Sequence, residues 1–389
     1  MYVGTIIRCD VHRMRGCMLM ASFSGKKEHI SFHELNKDVI EKGICAMCQG
    51  CFCFCSADEL NALMLEEDKP VYYDEENCLK CGICYMICPK TMYLEDVVKS
   101  KFKFKLPIGS YEEARCLRAT DDDILEVCCD GGVVTSLLKF MVDEKYIHGA
   151  IISKRTGLWS NQPMLATTYK ELLECAGTSL SQSVSIAEMG ILTTYVPILA
   201  TVKGLRVLDV TKLALVGTPC QIKTIRKMQV LRIVPSHIVS FTIGLFCFEN
   251  FSLQSEGIKY LEGKIGAGLD EVVKINLKED FIVRLKDGRT IHIDLEDLKP
   301  LVRPACLACT DFSNFASDIS VGGVGSPDGY TTTLIRSPEA RRIVDEALRK
   351  GYLEEVERKG MIETIGKMAL RKIRRGSQVL KEKGVSTDL

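Results

Sequence analysis

The chain has 389 residues, of which 46% are hydrophobic and 26% charged, and 51 lysines and arginines balance 51 aspartates and glutamates. This length allows two or three domains, and the zero net charge gives no global signal for nucleic-acid binding. The start of the sequence lacks the apolar core of a secretory signal, and no uninterrupted apolar run is long enough to cross a bilayer. We therefore expect a cytoplasmic protein, whose 19 cysteines indicate metal binding rather than disulfides.

Residues 1–40 are a polar lead-in that contains Cys9, His12 and Cys17. These residues are far apart along the chain, which favours packed side chains over metal ligands. The segment ends in a predicted short helix at Phe32–Lys42, which delivers the chain to the first cysteine run.

Two runs of four cysteines follow, and both have the spacing C-x2-C-x2-C-x3-C. They comprise Cys45, Cys48, Cys51 and Cys55, and then Cys78, Cys81, Cys84 and Cys88. This is ferredoxin spacing, in which the fourth cysteine of each run ligates the cluster of the other run. The spacing predicts one [4Fe-4S] cluster on Cys45, Cys48, Cys51 and Cys88, and a second on Cys78, Cys81, Cys84 and Cys55. The alternative is a pair of zinc sites, which the spacing disfavours.

The prediction is therefore a ferredoxin-like domain over residues 41–98, of bacterial type and α+β class. Ser56 stands where a proline would follow the first run, and Cys53 is an additional thiol that we expect to be packed. Leu60–Tyr73 separates the two runs and has a turn signal at Asp68-Lys69-Pro70. The basic, alternating segment Lys99–Lys105 predicts a linker or an edge strand.

Strand and helix patterns alternate over residues 106–336, which predicts an α/β domain. Its first candidate loop is Asp130-Gly131-Gly132, after which the apolar spacing is helical. Two glycines at a helix start expose backbone N–H groups that suit a phosphate or a flavin edge, although such pairs also make ordinary turns.

Cysteines stand at two further loops of this domain. The predicted buried strand Leu213–Gly217 leads into Thr218-Pro219-Cys220 and the helix Ile222–Met228, and the strand Ile238–Phe246 leads into Cys247. Both cysteines are therefore expected at the carboxyl ends of strands, where open parallel sheets bind ligands.

A second pair of cysteines, Cys306 and Cys309, follows a predicted β-hairpin at Val272–Leu295 with its turn at Asp287-Gly288. With Cys220 and Cys247 they are four thiols at loops. From spacing alone, a third [4Fe-4S] cluster and four unrelated buried cysteines are equally acceptable.

The last predicted region, residues 337–389, is a helical and basic tail. Ser337 and Pro338 give it a helix start, as the N-cap and the first helical residue. Its basic stretch consists of Arg371, Lys372, Arg374 and Arg375. Such a stretch is usually a solvated face, and the alternative is a docking site for an acidic partner or an anionic membrane surface.

Several of these motifs together resemble the coenzyme F420-dependent flavoprotein family, which includes the beta subunits of F420-reducing hydrogenase and formate dehydrogenase and the input subunit of F420H2 dehydrogenase. The similarity covers about residues 30–340. The motifs are Asp130-Gly131-Gly132-Val133-Val134-Thr135, Val216-Gly217-Thr218-Pro219-Cys220-Gln221, Gly244-Leu245-Phe246-Cys247-Phe248-Glu249, Cys306-Leu307-Ala308-Cys309-Thr310-Asp311-Phe312 and Ala316-Ser317-Asp318-Ile319-Ser320-Val321-Gly322. The ferredoxin-like part resembles the longer members of the family.

The resemblance implies an α/β flavoprotein domain that binds FAD, a third cluster on Cys220, Cys247, Cys306 and Cys309, and coenzyme F420 as the substrate. FAD contacts are expected at Gly131, Gly132, Thr135, Thr178 and Thr218. The family has a Gly-Thr/Ser-Lys-Tyr pattern in this contact region, whereas this chain has Ser179-Leu180 after Gly177-Thr178. Lys223 and Arg226 are candidates to meet the acidic tail of F420, with a solvated helix face as the alternative.

The implied function is hydride exchange between F420 and FAD, with single electrons passing through the clusters to or from a partner enzyme. Suitable partners are a hydrogenase, a formate dehydrogenase, a membrane dehydrogenase or a heterodisulfide reductase, and a membrane partner would hold the chain peripherally at the membrane. One alternative is an electron-transfer adaptor that no longer binds F420. Another is a flavin-dependent reductase of a different ring substrate.

Overall fold

The computed structural model describes residues 30–386, apart from 58–59, 67–68, 158–159, 178–180, 183–191, 194–210, 234–235, 254 and 279. The helices are α1 (Phe32–Leu35, continued by a π-helical turn at Asn36–Ile40), α2 (Gly50–Ala57), α3 (Ile83–Ile87), α4 (Glu95–Lys101), α5 (Asp122–Val127), α6 (Val133–Asp143), α7 (Tyr169–Glu174), α8 (Pro219–Val230), α9 (Ser255–Ile265), α10 (Pro304–Leu307), α11 (Pro338–Arg349) and α12 (Met361–Glu382). Short 3-10 turns lie at Ser236–Ile238, Leu269–Glu271 and Leu295–Leu301.

The strands are β1 (Leu63–Glu66), β2 (Lys69–Tyr72), β3 (Glu113–Ala119), β4 (Gly149–Gly157), β5 (Ser160–Ala166), β6 (Ser181–Gln182), β7 (Leu192–Thr193), β8 (Leu213–Gly217), β9 (Val239–Leu245), β10 (Ser252–Leu253), β11 (Val272–Leu277), β12 (Phe281–Leu285), β13 (Thr290–Ile293), β14 (Ile319–Gly322), β15 (Thr331–Ile335) and β16 (Leu353–Val356). The candidate residues Cys9, His12 and Cys17 lie outside the described residues.

The N-terminal part has short helices around one antiparallel hairpin, β1–β2. Its first helix, α1, begins as predicted, because Ser31 and Glu34 form a capping box. The segment predicted as a linker or edge strand instead continues the helix α4 as far as Lys101. Acidic residues in the first turn and lysines in the last turn of α4 complement the helix dipole, and Val98 anchors the helix in the core.

The main sheet is mixed and has, in the part of the chain that the structure describes, eleven strands in the order β10-β7-β6-β5-β4-β8-β9-β14-β15-β3-β16. The neighbours β4, β8, β9 and β14 are parallel, whereas β15, β3 and β16 continue the sheet antiparallel. All five residues of β8 are buried, as expected for a central parallel strand covered on both faces. The carboxyl ends of β8 and β9 meet at one edge and bring Thr218 and Cys247 to the same region.

Each face of this sheet has its own core, because successive residues of a strand point to opposite faces. On one face, Ala214 and Val216 of β8 pack with α6 and α11. On the other face, Leu215 of β8 and Ile225 of α8 share a core with Ile87, which lies in the part predicted to be ferredoxin-like. The ferredoxin-like part is therefore packed against the α/β domain through buried side chains.

A separate antiparallel sheet is formed by β11, β12 and β13. The predicted hairpin corresponds to β12 and β13, which are joined at Asp287-Gly288, and β11 adds a third strand. Gly288 has a φ of +86°, which suits glycine at this turn.

The prediction of a helical tail from residue 337 needs correction. Ser337 caps α11 and Pro338 begins it, as predicted. The next element, however, is the strand β16, which pairs with β3 and completes the edge of the main sheet. Its four residues are too few to give a clear alternating pattern in the sequence, and only Leu353 among them is buried.

The last helix, α12, packs tightly against the loop that carries Cys306 and Cys309. A Cβ atom on Gly376 would lie 2.4 Å from the carbonyl oxygen of Cys309, so only glycine allows this approach. Among the described residues, no helix is both long and apolar enough to span a membrane.

Replacing Gly376 by alanine should therefore lower the free energy of unfolding by about 1–3 kcal/mol, the usual cost of overpacking. Gly366 of the same helix is the matched control, because a Cβ there would meet only Pro107 Cγ at 3.9 Å. Alanine at 366 should stabilise the protein by up to about 1 kcal/mol through helix propensity. Chemical denaturation measures both changes, and equal stabilisation by the two substitutions would contradict the close packing.

Candidate functional site

The first group of thiols consists of Cys45, Cys48, Cys51 and Cys88, which come from both cysteine runs. Burial, and then the neighbouring thiols of Cys48, Cys45 and Cys88, raise the pKa of Cys51 well above its ordinary value. The second group consists of Cys55, Cys78, Cys81 and Cys84. Burial, and then Cys81, Cys78 and Cys55, raise the pKa of Cys84 in the same way.

These groupings have the crossed composition that the spacing predicts, because Cys88 lies with the first run and Cys55 with the second. Among the described residues, no three histidine, cysteine or acidic side chains are close enough together to hold a single metal ion. Two crossed groups of four thiols suit [4Fe-4S] clusters, and iron binding itself stays a prediction.

The third group, Cys220, Cys247, Cys306 and Cys309, also lies together. Burial raises the pKa of Cys247, the charge of Lys372 lowers it, and the thiols of Cys306, Cys309 and Cys220 raise it further. Polar groups approach two of the sulfurs: Thr218 Oγ1 lies 3.2 Å from Cys220 Sγ, and Asn250 Nδ2 donates to Cys247 Sγ at 3.4 Å. Four sulfur donors in this arrangement suit a third cluster.

The local folding of this group follows from two strand ends and a short helix. Cys220 lies in the first turn of α8, where Thr218 and Gln221 form a capping box. Cys247 follows β9, and its N–H donates to the carbonyl of Phe312 at 2.9 Å. Cys306 lies within α10, and the Cys309 N–H donates to the Cys306 carbonyl at 3.2 Å.

The first and third groups are joined by reciprocal contacts between their loops. Lys90, which follows Cys88 by two residues, donates to the carbonyls of Ala305 and Ala308 at 2.7 and 3.3 Å. In return, Arg303 donates to the carbonyl of Ala46 at 3.1 Å. Each loop therefore fixes the other, and the two groups of thiols are held as neighbours.

A cavity of about 360 Å³ lies beside the third group, at the carboxyl ends of β8 and β9. This volume is in the range of small-molecule and cofactor sites, about 300–1,000 Å³. Its lining includes the predicted contacts Gly132, Thr135 and Thr218 together with Cys247. Apolar side chains supply much of the remaining wall, namely Val133, Val216, Leu245, Phe246, Ile275, Leu277 and Phe281.

The predicted flavin contacts Gly131 and Thr178 are not among the cavity-lining residues that the structure describes. Gly131 is a packing residue, because its N–H donates to Thr331 Oγ1 at 3.0 Å and a Cβ would lie 2.7 Å from the Leu117 carbonyl oxygen. Its neighbour Gly132 has a φ of +69°, precedes α6 and lines the cavity. Thr178 lies outside the described residues.

The two basic residues predicted to meet the acidic tail of F420 instead pair with acidic side chains of the protein. Arg226 is buried, and its guanidinium donates to Asp318 Oδ2 at 2.8 Å and to Thr242 Oγ1 at 2.9 Å. Lys223 forms an ion pair with Glu95 at 3.0 Å, which ties α8 to α4. The prediction was wrong for Arg226, because it joins α8 to the start of β14 inside the protein.

The basic stretch of α12 also points largely inward. Lys372 is buried and donates to the Cys247 carbonyl, and Arg375 pairs with Glu249 at 2.6 Å. Arg371 pairs with Glu296, so only Arg374 of the four is exposed without such a pairing being described. The stretch therefore packs against the third cysteine group through Lys372 and Arg375 rather than forming one solvated face.

Glu249 is a candidate ligand contact that the sequence reasoning did not single out, although it ends the quoted motif around Cys247. It lines the cavity with 3% of its surface exposed, and its Oε1 atom has no hydrogen-bond partner among the described residues. An unpaired buried oxygen is costly unless a bound molecule donates to it. Flavins and deazaflavins both carry ring N–H groups, so this atom fits such a ligand.

Asp130 is a second acid on the cavity wall. It accepts from Asn276 Nδ2 at 3.3 Å and lies 3.8 Å from Lys278 Nζ. Burial raises the pKa of Asp130, although Lys278 and Lys274 oppose this shift. A nearby glycine, Gly323, makes room for it, since a Cβ there would lie 2.7 Å from Asp130 Oδ2.

Comparisons with known proteins match the α/β domain. Residues 116–189 match the N-terminal family model of the coenzyme F420 hydrogenase/dehydrogenase beta subunit, and residues 210–359 match its C-terminal model. Both matches lie beyond the two cysteine runs, so they do not cover the ferredoxin-like part.

Full-length relatives point to the same family. The chain is 33% identical over 256 residues to the coenzyme F420 hydrogenase subunit beta of Methanococcus voltae, covering 64% of this chain and 85% of the relative. It is 31% identical over 288 residues to the corresponding subunit of Methanosarcina barkeri, covering 71% and 93%. A chain in the solved structure of the F420-reducing [NiFe] hydrogenase complex from Methanosarcina barkeri matches with a TM-score of 0.61 and 29% identity, over 72% of this chain and 94% of that chain.

The pairing of Arg375 with Glu249 can be tested by stability. Replacing Arg375 by methionine should cost about 3 kcal/mol, because it leaves a buried carboxylate without its cation. Arg374→Met, on the exposed side of the same helix, is the control and should change the unfolding free energy little. Adding Glu249→Gln to Arg375→Met should restore part of the loss, and a double variant as unstable as the sum of both single variants would contradict the pairing.

Proposed function

We propose that this chain, which belongs to the family of coenzyme F420 hydrogenase and dehydrogenase beta subunits, exchanges hydride with coenzyme F420 at an FAD in the cavity and exchanges single electrons with a partner enzyme through three [4Fe-4S] clusters. The observation that carries the proposal is the continuity of the sites. Cys247 of the third group lines the cavity, as does Thr218, whose Oγ1 lies 3.2 Å from Cys220 Sγ. Hydrogen bonds of Lys90 and Arg303 join the third group to the first.

Two kinds of carrier have to be connected in this reaction. F420 delivers or accepts a hydride, which is an electron pair, whereas an iron–sulfur cluster takes one electron at a time. Bound FAD supplies the conversion between pair and single-electron transfer. The protein's part is to hold the flavin and F420 against each other and to keep the third cysteine group beside them.

The residues that line the cavity are suited to holding a flavin and F420 against each other. Gly132 leaves the start of α6 open, so backbone N–H groups of the first helical turn are available to a phosphate or ring edge. Glu249 Oε1 is buried without a hydrogen-bond partner among the described residues, and it would accept an N–H from a bound ring. The apolar wall from Val133, Val216 and Leu245 excludes water from the hydride path.

Clusters held by the three cysteine groups would supply a series of one-electron carriers in the order of the groups. The third group is beside the cavity, the first group is next to the third, and the second group shares the ferredoxin-like part with the first. Burial, and then the thiols of Cys220 and Cys88, raise the pKa of Cys48, so this sulfur of the first group faces the third group. We infer that the second group, which is farthest along this series, exchanges electrons with the partner.

Anaerobic turnover with F420H2 and a viologen acceptor tests the proposed reaction. The purified, cluster-loaded chain with FAD should oxidise F420H2 and reduce the viologen. FAD and iron content without turnover would contradict it and would favour the adaptor or a reductase of another ring substrate.

Replacing Glu249 by glutamine should lower kcat/KM for F420H2 about ten- to hundredfold, because an acceptor of a ring N–H is lost or turned away. Glu256→Gln, on the exposed first turn of α9, is the control and should leave kcat/KM unchanged. Unaltered kinetics and flavin content in Glu249→Gln would remove this residue from the ligand site.

The assignment of Cys88, but not Cys53, as a cluster ligand predicts different iron losses when each of these two thiols is replaced. The loaded chain should carry about twelve irons, and Cys88→Ser should drop to about eight through loss of the first cluster. Cys53→Ser should keep about twelve, because Cys53 is buried between the ligands without belonging to a group. Iron and sulfide analysis checks both, and a full iron content in Cys88→Ser would contradict the assignment.

A further inference from the structure

Two lysines are among the most deeply buried side chains of the described residues. Lys227 has 0% and Lys372 has 1% of its surface exposed. A buried ammonium group is costly unless negative charge or several hydrogen bonds compensate it. Both lysines lie against a cysteine group rather than in an ordinary ion pair.

Lys227 contacts the first cysteine group from helix α8. Its Nζ donates to the carbonyls of Cys88 at 2.7 Å and of Thr91 at 2.9 Å. One turn earlier, Thr224 Oγ1 lies 3.5 Å from Cys48 Sγ, and Cys220 of the third group begins the same helix face. The spacing 220, 224 and 227 places these three residues on one side of the helix.

Lys372 contacts the third cysteine group from helix α12. Its Nζ donates to the carbonyl of Cys247. The thiols of Cys309, Cys247 and Cys306 are its neighbours in the third group.

The second cysteine group has a different environment. The lysines of residues 60–88 are Lys69 and Lys80, and both are exposed. Neutral groups contact its sulfurs: the Tyr72 hydroxyl lies 3.9 Å from Cys78 Sγ, and the backbone of Ala62 and Leu63 hydrogen-bonds to Cys55. Buried positive charge is therefore concentrated at the first and third groups.

We propose that Lys227 and Lys372 are positioning residues that raise the reduction potentials of the first and third clusters, respectively, above that of the second. The inference rests on the proposed function, because it requires all three cysteine groups to hold clusters. Reduction adds one electron and one negative charge to a cluster, and a buried ammonium beside it favours the reduced form. Local charge and hydrogen bonding are known determinants of cluster potential.

The test is a redox titration followed by electron paramagnetic resonance on the loaded full-length chain. Lys227→Met should make reduction of the first cluster about tenfold less favourable, a downward shift of about 59 mV for a one-electron couple, and leave the third cluster unchanged. Lys372→Met should lower the potential of the third cluster by a similar amount and leave the first cluster unchanged. Each variant thus supplies the control for the other, and in the unaltered chain the second cluster should have the lowest potential.

Lys227→Gln and Lys372→Gln form a second pair of variants, which keep a hydrogen-bond donor for the carbonyls while removing the charge. They should reproduce the selective shifts if either methionine variant fails to fold. Unchanged potentials, or an equal shift of all three clusters in every variant, would overturn the inference while leaving the proposed function intact. An unaltered chain that binds fewer than three clusters would instead overturn the proposed function.

Discussion

The contact of helix α8 with both halves of the molecule is the constraint on which the redox scheme depends. Its first turn carries Cys220, its middle brings Thr224 to Cys48, and its last turn brings Lys227 to the Cys88 carbonyl. Electrons can move between the cavity and the ferredoxin-like part only if their carriers are held close together. A single rigid helix, buried in a core that both parts share, provides that closeness.

Much of this arrangement could be predicted from the sequence, because cluster ligands and tight turns have strict local requirements. The spacing of the two cysteine runs implied the crossed exchange of Cys55 and Cys88, and the structure groups those thiols accordingly. The helix starts at Pro219 and Pro338 were also predicted correctly, because caps and prolines act within a few residues.

The remaining features depend on contacts between distant segments, which a local pattern does not contain. Arg226 has the spacing of a solvated helix residue, yet it is buried and pairs with Asp318, which is 92 positions away in the sequence. The basic stretch of α12 likewise gives no sequence signal that Lys372 and Arg375 turn towards Cys247 and Glu249. The flavin assignment came from family resemblance rather than from residue patterns, and the cavity beside Cys247 gives it a location that can be tested.

The most direct test of the account is to mix the loaded, FAD-containing chain with F420H2 anaerobically, freeze samples at successive times and record their electron paramagnetic resonance spectra. The account predicts that signals from all three reduced clusters appear as F420H2 is consumed, with the ferredoxin-like clusters following the third. Flavin reduction without reduction of the ferredoxin-like clusters, in a chain whose clusters dithionite can reduce, would contradict a continuous path through helix α8.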